Sequence, residues 1–160
     1  MDRLITGTCY HKLEKLLHLV FSFPGMLMLS CESSTLRVLV VDDHELTRLT
    51  LKLAFSCQEN ILVVGLASNG QEAIEMVKCC SPDVIVLDLQ MPVMDGWSAS
   101  GYIKAIAPNT QILAYSSVED THIQETKAMP SFDDVCKKDV PTSELIALVR
   151  QLGQRAGGLV

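Results

Sequence analysis

From Leu36 onward, short apolar runs rich in β-branched residues alternate with stretches whose apolar positions recur at helical spacing. Apolar runs bounded by turn-formers read as strands, which predicts Leu36–Val41, Ile61–Ala67, Val84–Leu87, Gln111–Tyr115 and Asp133–Cys136. The intervening stretches predict helices near Glu45–Cys57, Gly70–Cys80, Gly96–Ala107, Val118–Met129 and Thr142–Gly153. Local punctuation supports these bounds: Ser81-Pro82 stops the second helix, and Pro141 with Thr142-Ser143 opens the fifth, with Glu144 suited to its first turn. Asn69-Gly70 and Asp95-Gly96 read as turns that start helices. Strands apolar on both faces and separated by helices belong to a parallel sheet covered on both sides, so the pattern predicts an α/β, doubly wound, five-stranded fold.

Residues 1–35 have a different character and are read as an N-terminal extension, residues 36–155 as the folded domain and 156–160 as a tail. Leu13, Leu16, Leu17 and Val20 share one helical face, and Pro24-Gly25 would end that helix. A basic start, an apolar stretch and Ser30-Cys31 also outline a secretory or lipoprotein signal. That reading ranks below a packed or partner-binding helix, or a true start at Met26 or Met28. No membrane span is expected, because His18 and Pro24-Gly25 interrupt a stretch that would need about 20 apolar residues.

Composition narrows the function more than the fold. A net charge of −6 disfavours direct binding of nucleic acid or anionic lipid, which takes clustered Lys and Arg. The six cysteines follow no disulfide framework and form no CxxC pair, so they read as reduced thiols and zinc is disfavoured.

In doubly wound folds, ligands bind beyond the carboxyl ends of the strands. Those ends carry Asp42-Asp43, Asp88, Ser116 and Lys138. Converging carboxylates are costly unless a hard divalent cation joins them, and Mg²⁺ suits a carboxylate, carbonyl and water shell that leaves room for phosphoryl oxygens. A carboxylate is also a competent nucleophile toward phosphorus, and Asp88 is the best placed. Ser116 can donate a hydrogen bond, and Lys138 supplies positive charge, to a phosphoryl group.

The stretch Asp88-Leu89-Gln90-Met91-Pro92-Val93-Met94-Asp95-Gly96 resembles the Asp-x-x-Met-Pro-x-Met-Asp-Gly signature of the receiver domains of two-component response regulators. Val38-Leu39-Val40-Val41-Asp42-Asp43-His44 is similar to that family's acidic-pair motif, and Cys136-Lys137-Lys138-Asp139 resembles the Lys-Asp ending of receivers that usually precede a helix-turn-helix output domain. The resemblance spans roughly Leu36 to Gly153. It implies a flavodoxin-like (βα)5 fold with strand order 2-1-3-4-5, Asp88 as phosphoacceptor, and Asp43, Asp88 and the Gln90 carbonyl as Mg²⁺ ligands with Asp42 in support. Ser116 and Lys138 would bind the phosphoryl group. Lys137 competes with Lys138 for that role, since successive strand residues face opposite ways, and Lys138 is chosen by motif position.

Three positions depart from the family pattern. Val135 stands where a switching Tyr or Phe is usual, Ser117 where a small Ala is common, and Pro130-Ser131-Phe132 replaces the usual Gly-Ala turn. Other residues take ordinary roles: His44 opens the first helix rather than binding Mg²⁺, which prefers oxygen; Trp97 and Tyr102 pack or lie on the surface; Tyr115 is buried in strand four.

The expected function is a cytoplasmic, stand-alone receiver that takes a phosphoryl group from a histidine kinase or phosphotransfer protein onto Asp88. It would signal to a downstream protein and would not be a turnover enzyme beyond slow self-dephosphorylation. With seven residues after Gly153, output is expected through protein contacts, and homodimer formation is left open. A phosphorylation-independent binding module is the alternative. An aspartyl-phosphate phosphatase is disfavoured because such enzymes place Asp-x-Asp after strand one, where this chain has Asp42-Asp43.

Overall fold

The computed structural model describes residues 35–117 and 129–157. The predicted helix over 118–129 and the N-terminal extension fall almost wholly outside these residues.

Five strands, β1 (Leu36–Val41), β2 (Ile61–Ala67), β3 (Val84–Leu87), β4 (Gln111–Ser116) and β5 (Asp134–Lys137), form one parallel sheet in the order β2-β1-β3-β4-β5. The first three strands have the predicted bounds. The fourth continues one residue further, and the fifth is shifted by one residue, because Asp133 is used otherwise: its carboxylate accepts the Ile112 N–H at 2.7 Å and pairs with Lys104. Asp88 directly follows β3.

The described helices are α1 (Glu45–Ser56), α2 (Gly70–Cys80), α3 (Gly96–Ile106) and α4 (Thr142–Ala156). Asn69 caps α2 by accepting the Glu72 N–H, and Glu72 reaches back to Ser68 N–H. Asp95 caps α3 through Ser98 N–H at 2.7 Å. Helix α4 opens at Thr142 as expected, with Pro141 in the cap position and no side-chain bond there, and it runs three residues beyond Gly153. Ser81, at φ 43°, ends α2 in the left-handed region.

Two apolar layers sandwich the sheet. Leu51 and Phe55 of α1 join Leu145, Val149 and Leu152 of α4 against Val38, Val40, Val86 and Leu113 on one face. Ala73, Ile74 and Val77 of α2 join Ala99 and Ile103 of α3 against Leu39, Ile85, Leu87, Ile112 and Val135 on the other. Each central strand contributes alternate residues to both layers, which is why β1 and β3 are apolar throughout. The Pro130-Ser131-Phe132 turn is tied down, since Phe132 is buried and Ser131 Oγ lies 2.9 Å from Ser100 Oγ of α3.

Candidate functional site

Strands β1, β3 and β5 run parallel, so their carboxyl ends bring Asp42, Asp88 and Lys138 to one edge of the sheet. Both carboxylates are buried and are satisfied in the same way. Asp42 Oδ1 accepts the His44 N–H at 2.9 Å, and Asp88 Oδ1 accepts the Gln90 N–H at 3.3 Å. Their Oδ2 atoms share Lys138 Nζ, at 2.8 Å and 2.9 Å. The carboxylates expected to converge unpaired are thus bridged by an ammonium. The ammonium that reaches them is that of Lys138. Its own N–H donates to the Ser116 carbonyl at 3.0 Å, which brings the buried end of β4 alongside.

Burial raises the Asp88 carboxyl above its ordinary range, against the opposing pull of Lys138, and the nearby Asp42 adds to the rise. Burial opposes the charge on Lys138, but its hydrogen bonds to Asp42 and Asp88 outweigh that effect and hold its pKa above the ordinary value. The ammonium also sits 5.8 Å from the centroid of the buried Tyr115 ring, a cation–π contact.

Asp43 differs from its neighbours. Its Oδ1 is shielded from solvent and accepts no hydrogen bond, although His44 Nδ1 lies 2.8 Å away. Ligand atoms of Asp42, Asp43 and His44 fall within 4.8 Å of one another. An orphaned buried carboxylate oxygen beside a second carboxylate, with a third on the neighbouring strand, is the donor chemistry of a hard cation, so these residues fit Mg²⁺. His44 is an exposed residue opening α1, as expected.

Arg48 was not found from the sequence, and Gly96 was found there only as part of a helix-starting turn and of the signature stretch. Arg48 Nη1 donates to the carbonyls of both Asp42 and Asp43, at 2.7 Å and 3.0 Å, fixing the turn that carries the acidic pair. Gly96 packs against the Asp88 backbone, where an added Cβ would run into the Asp88 carbonyl oxygen. Neither contact is signalled locally, because each is made across a turn whose shape the sequence pattern does not specify.

The sequence profile of the response regulator receiver domain matches residues 38–150. The chain belongs to that family. Receiver domains of two-component response regulators bind Mg²⁺ at an acidic pocket, act as phosphoacceptors, and interact with histidine kinases or phosphotransfer proteins and downstream partners. Among curated relatives, the response regulator protein VraR of Staphylococcus saprophyticus is 34% identical over 118 residues, 72% of this chain and 56% of that protein. A protein-glutamate methylesterase/protein-glutamine glutaminase of Photobacterium profundum is 44% identical over 84 residues, 52% of this chain and 21% of that protein. The receiver thus spans a fifth to little more than half of these relatives. Of solved structures, the response regulator domain of Thermotoga maritima CheB superposes with a TM-score of 0.67 at 32% identity, over 75% of this chain and 97% of that one. A NarL signal receiver domain from Mycobacterium tuberculosis gives 0.70 at 30% identity, over 76% and 98%. Among the described residues of the receiver, no helix is long and apolar enough to cross a membrane.

Proposed function

We propose that this receiver accepts a phosphoryl group on Asp88 from a histidine kinase or histidine phosphotransfer protein and signals through contacts with a downstream protein. The observation that carries this reading is the single ammonium of Lys138 shared by the buried Asp42 and Asp88 beside the end of β4. In the proposed reaction an Asp88 carboxylate oxygen forms the bond to phosphorus as the donor's phosphorus–nitrogen bond breaks, and the electron pair leaves with the donor imidazole. Lys138 turns part of its charge toward the phosphoryl oxygens, and the Ser116 hydroxyl donates to one of them.

Asp42, Asp43, Asp88 and the Gln90 carbonyl would hold Mg²⁺. When bound, Mg²⁺ offsets the negative charge gathering on the transferred group. Arg48 keeps the Asp42-Asp43 turn in place while that charge changes. Movement of Ser116 toward the new phosphoryl group is the proposed start of the output, since it pulls the end of β4. Val135 offers no hydroxyl or large ring to follow that movement, so the usual aromatic coupling is absent from this reading. The reading places the protein in the cytoplasm with its phosphoryl donor and assigns it no turnover activity beyond slow self-dephosphorylation. The Lys138-Asp139 ending is similar to that of receivers joined to helix-turn-helix modules.

The test is Mg²⁺-dependent phosphorylation by acetyl phosphate, read by intact mass on wild type and Asp88→Asn. An adduct of about 80 Da on wild type alone, lost without Mg²⁺, is expected. Absence of an adduct with acetyl phosphate and with kinase donors would instead favour a phosphorylation-independent binding module.

A further inference from the structure

Among the described residues the Lys138 ammonium has three partners: Asp42 Oδ2 at 2.8 Å, Asp88 Oδ2 at 2.9 Å, and the Tyr115 ring, whose centroid lies 5.8 Å away. An ammonium within about 6 Å of a ring centroid is drawn to the negative charge on the ring face.

The fold, rather than the lysine, holds that ring in place. Tyr115 belongs to β4, pairs with Cys136 of β5, and is buried in the apolar layer that Leu113, Leu145 and Val149 help to form. Lys138 stands two residues beyond Cys136, and its N–H donates to the carbonyl of Ser116, the residue after Tyr115, at 3.0 Å. Main-chain pairing therefore sets the ring and the lysine stem at the same end of the sheet.

Phosphoryl transfer changes two of the three partners. When an Asp88 oxygen bonds to phosphorus, that side chain loses its carboxylate charge and with it most of its pull on the ammonium. Asp42 is among the residues that would hold Mg²⁺, and a divalent ion on its oxygens weakens its pull as well. The ring is neutral, buried and no ligand for a hard cation, so its attraction persists through the reaction. It also draws the ammonium without cancelling its charge, which leaves that charge for the phosphoryl oxygens.

We propose that Tyr115 is a positioning residue for phosphoryl transfer, whose ring face holds the Lys138 ammonium at the strand end while Asp88 and Asp42 change partners. The proposal rests on the phosphoryl-transfer reading and adds to it a residue that acts through Lys138.

The test varies the ring face separately from the ring's shape, in the full chain. Tyr115→Phe keeps the face and loses only the hydroxyl, Tyr115→Leu loses the ring, and pentafluorophenylalanine at position 115 keeps the shape but drains the face of negative charge. Phosphorylation by acetyl phosphate with saturating Mg²⁺, read by intact mass, should run within twofold of wild type in Tyr115→Phe. It should be about fivefold slower in the Leu and pentafluoro variants, the size of a partly exposed cation–π contact. In a Lys138→Met background the phenyl and pentafluorophenyl proteins should react at equal rates, because no ammonium is left to hold. Urea midpoints without Mg²⁺ or donor read the contact by itself: the pentafluoro variant should fall below Tyr115→Phe when Lys138 is present and not in Lys138→Met. Circular dichroism verifies folding of each variant. Equal rates for the phenyl and pentafluorophenyl proteins, a difference that persists in Lys138→Met, or a Tyr115→Phe as slow as Tyr115→Leu would each overturn the proposal. A wild type that takes no phosphate would sink the phosphoryl-transfer reading and this role with it, whereas a failed urea comparison would sink the ring contact and leave that reading standing.

Discussion

Replacing Lys138 by methionine removes the cation that two buried carboxylates share while keeping most of the side-chain volume. Lys138 Nζ donates to Asp42 Oδ2 at 2.8 Å and to Asp88 Oδ2 at 2.9 Å, and among the described residues each carboxylate keeps its backbone N–H donor when the ammonium is gone. Removing one partner of a fully buried ion pair costs about 3–5 kcal/mol. The Lys138 side chain is 22% exposed, so water relieves part of the loss and a cost of about 2 kcal/mol is expected. That corresponds to a melting temperature roughly 6 °C lower. Magnesium adds a second, sharper expectation. Lys138 and Mg²⁺ draw on the same carboxylates, so in wild type the cation must compete with the ammonium, whereas in Lys138→Met it meets them unpaired. Saturating Mg²⁺ should then stabilise the variant more than wild type, by RT ln(1 + [Mg²⁺]/Kd) with the smaller Kd, about 2.7 kcal/mol at a hundredfold excess over that Kd. Urea denaturation followed by far-ultraviolet circular dichroism, with and without Mg²⁺, measures both effects. Equal urea midpoints for variant and wild type without Mg²⁺, or equal Mg²⁺ increments in the two, would refute the shared-ammonium argument. Phosphorylation should fall in the variant even where Mg²⁺ restores its stability, because the phosphoryl group loses its counter-charge.

Three further outcomes are expected. Gly96→Ala drives a methyl into the Asp88 carbonyl oxygen, so it should cost about 1–3 kcal/mol and slow phosphorylation by acetyl phosphate about 100-fold through displacement of Asp88; wild-type rate and stability would contradict that close approach. Val93 has φ 69° and is 86% exposed, so Val93→Gly relieves left-handed strain without losing packing and should raise stability by about 0.5–1 kcal/mol after the entropy cost of glycine, read as a higher urea midpoint. Burial, aided by Glu144, Asp134 and Asp139, pushes the Cys136 thiol up to about 11 from 9.0. Because its folded pKa is raised, the unfolded thiol releases its proton first, so its contribution is fully present below pH 9.0 and is lost as pH rises through about 11. The stability difference between wild type and Cys136→Ala should therefore be flat below that window and shrink within it; a flat difference across the whole range would contradict the burial argument.

The β-branched runs of β1, β2 and β3 were legible to the residue because turn-formers and charges bound them closely: Asp42 ends the first run, Ser68-Asn69-Gly70 the second and Asp88 the third. Apolarity on both faces of β1 and β3 then required a sheet covered on both sides, and that architecture required the strand-end acids to meet. The family resemblance added the strand order, which periodicity cannot supply. The last strand was less well marked, since Asp133 and Asp134 are the same residue type, and only packing decides that one pairs with Lys104 while the other begins β5.

What the sequence by itself determined is the chemistry available: adjacent acids after one strand, a third after its neighbour, and a lysine after the last. The tertiary structure alone decided which groups touch. It set the Lys138 ammonium between Asp42 and Asp88. It offset the charge of Asp42 and Asp88 with one ammonium and left Asp43 Oδ1 shielded from solvent beside His44 Nδ1. It brought Arg48 back onto two carbonyls and set Gly96 against Asp88, contacts across turns whose shape no period in the sequence encodes. The physical reason is range: periodicity and turn chemistry act over a few residues, whereas Lys138 and Asp42 are separated by 96 positions and meet only because parallel strands end at the same edge.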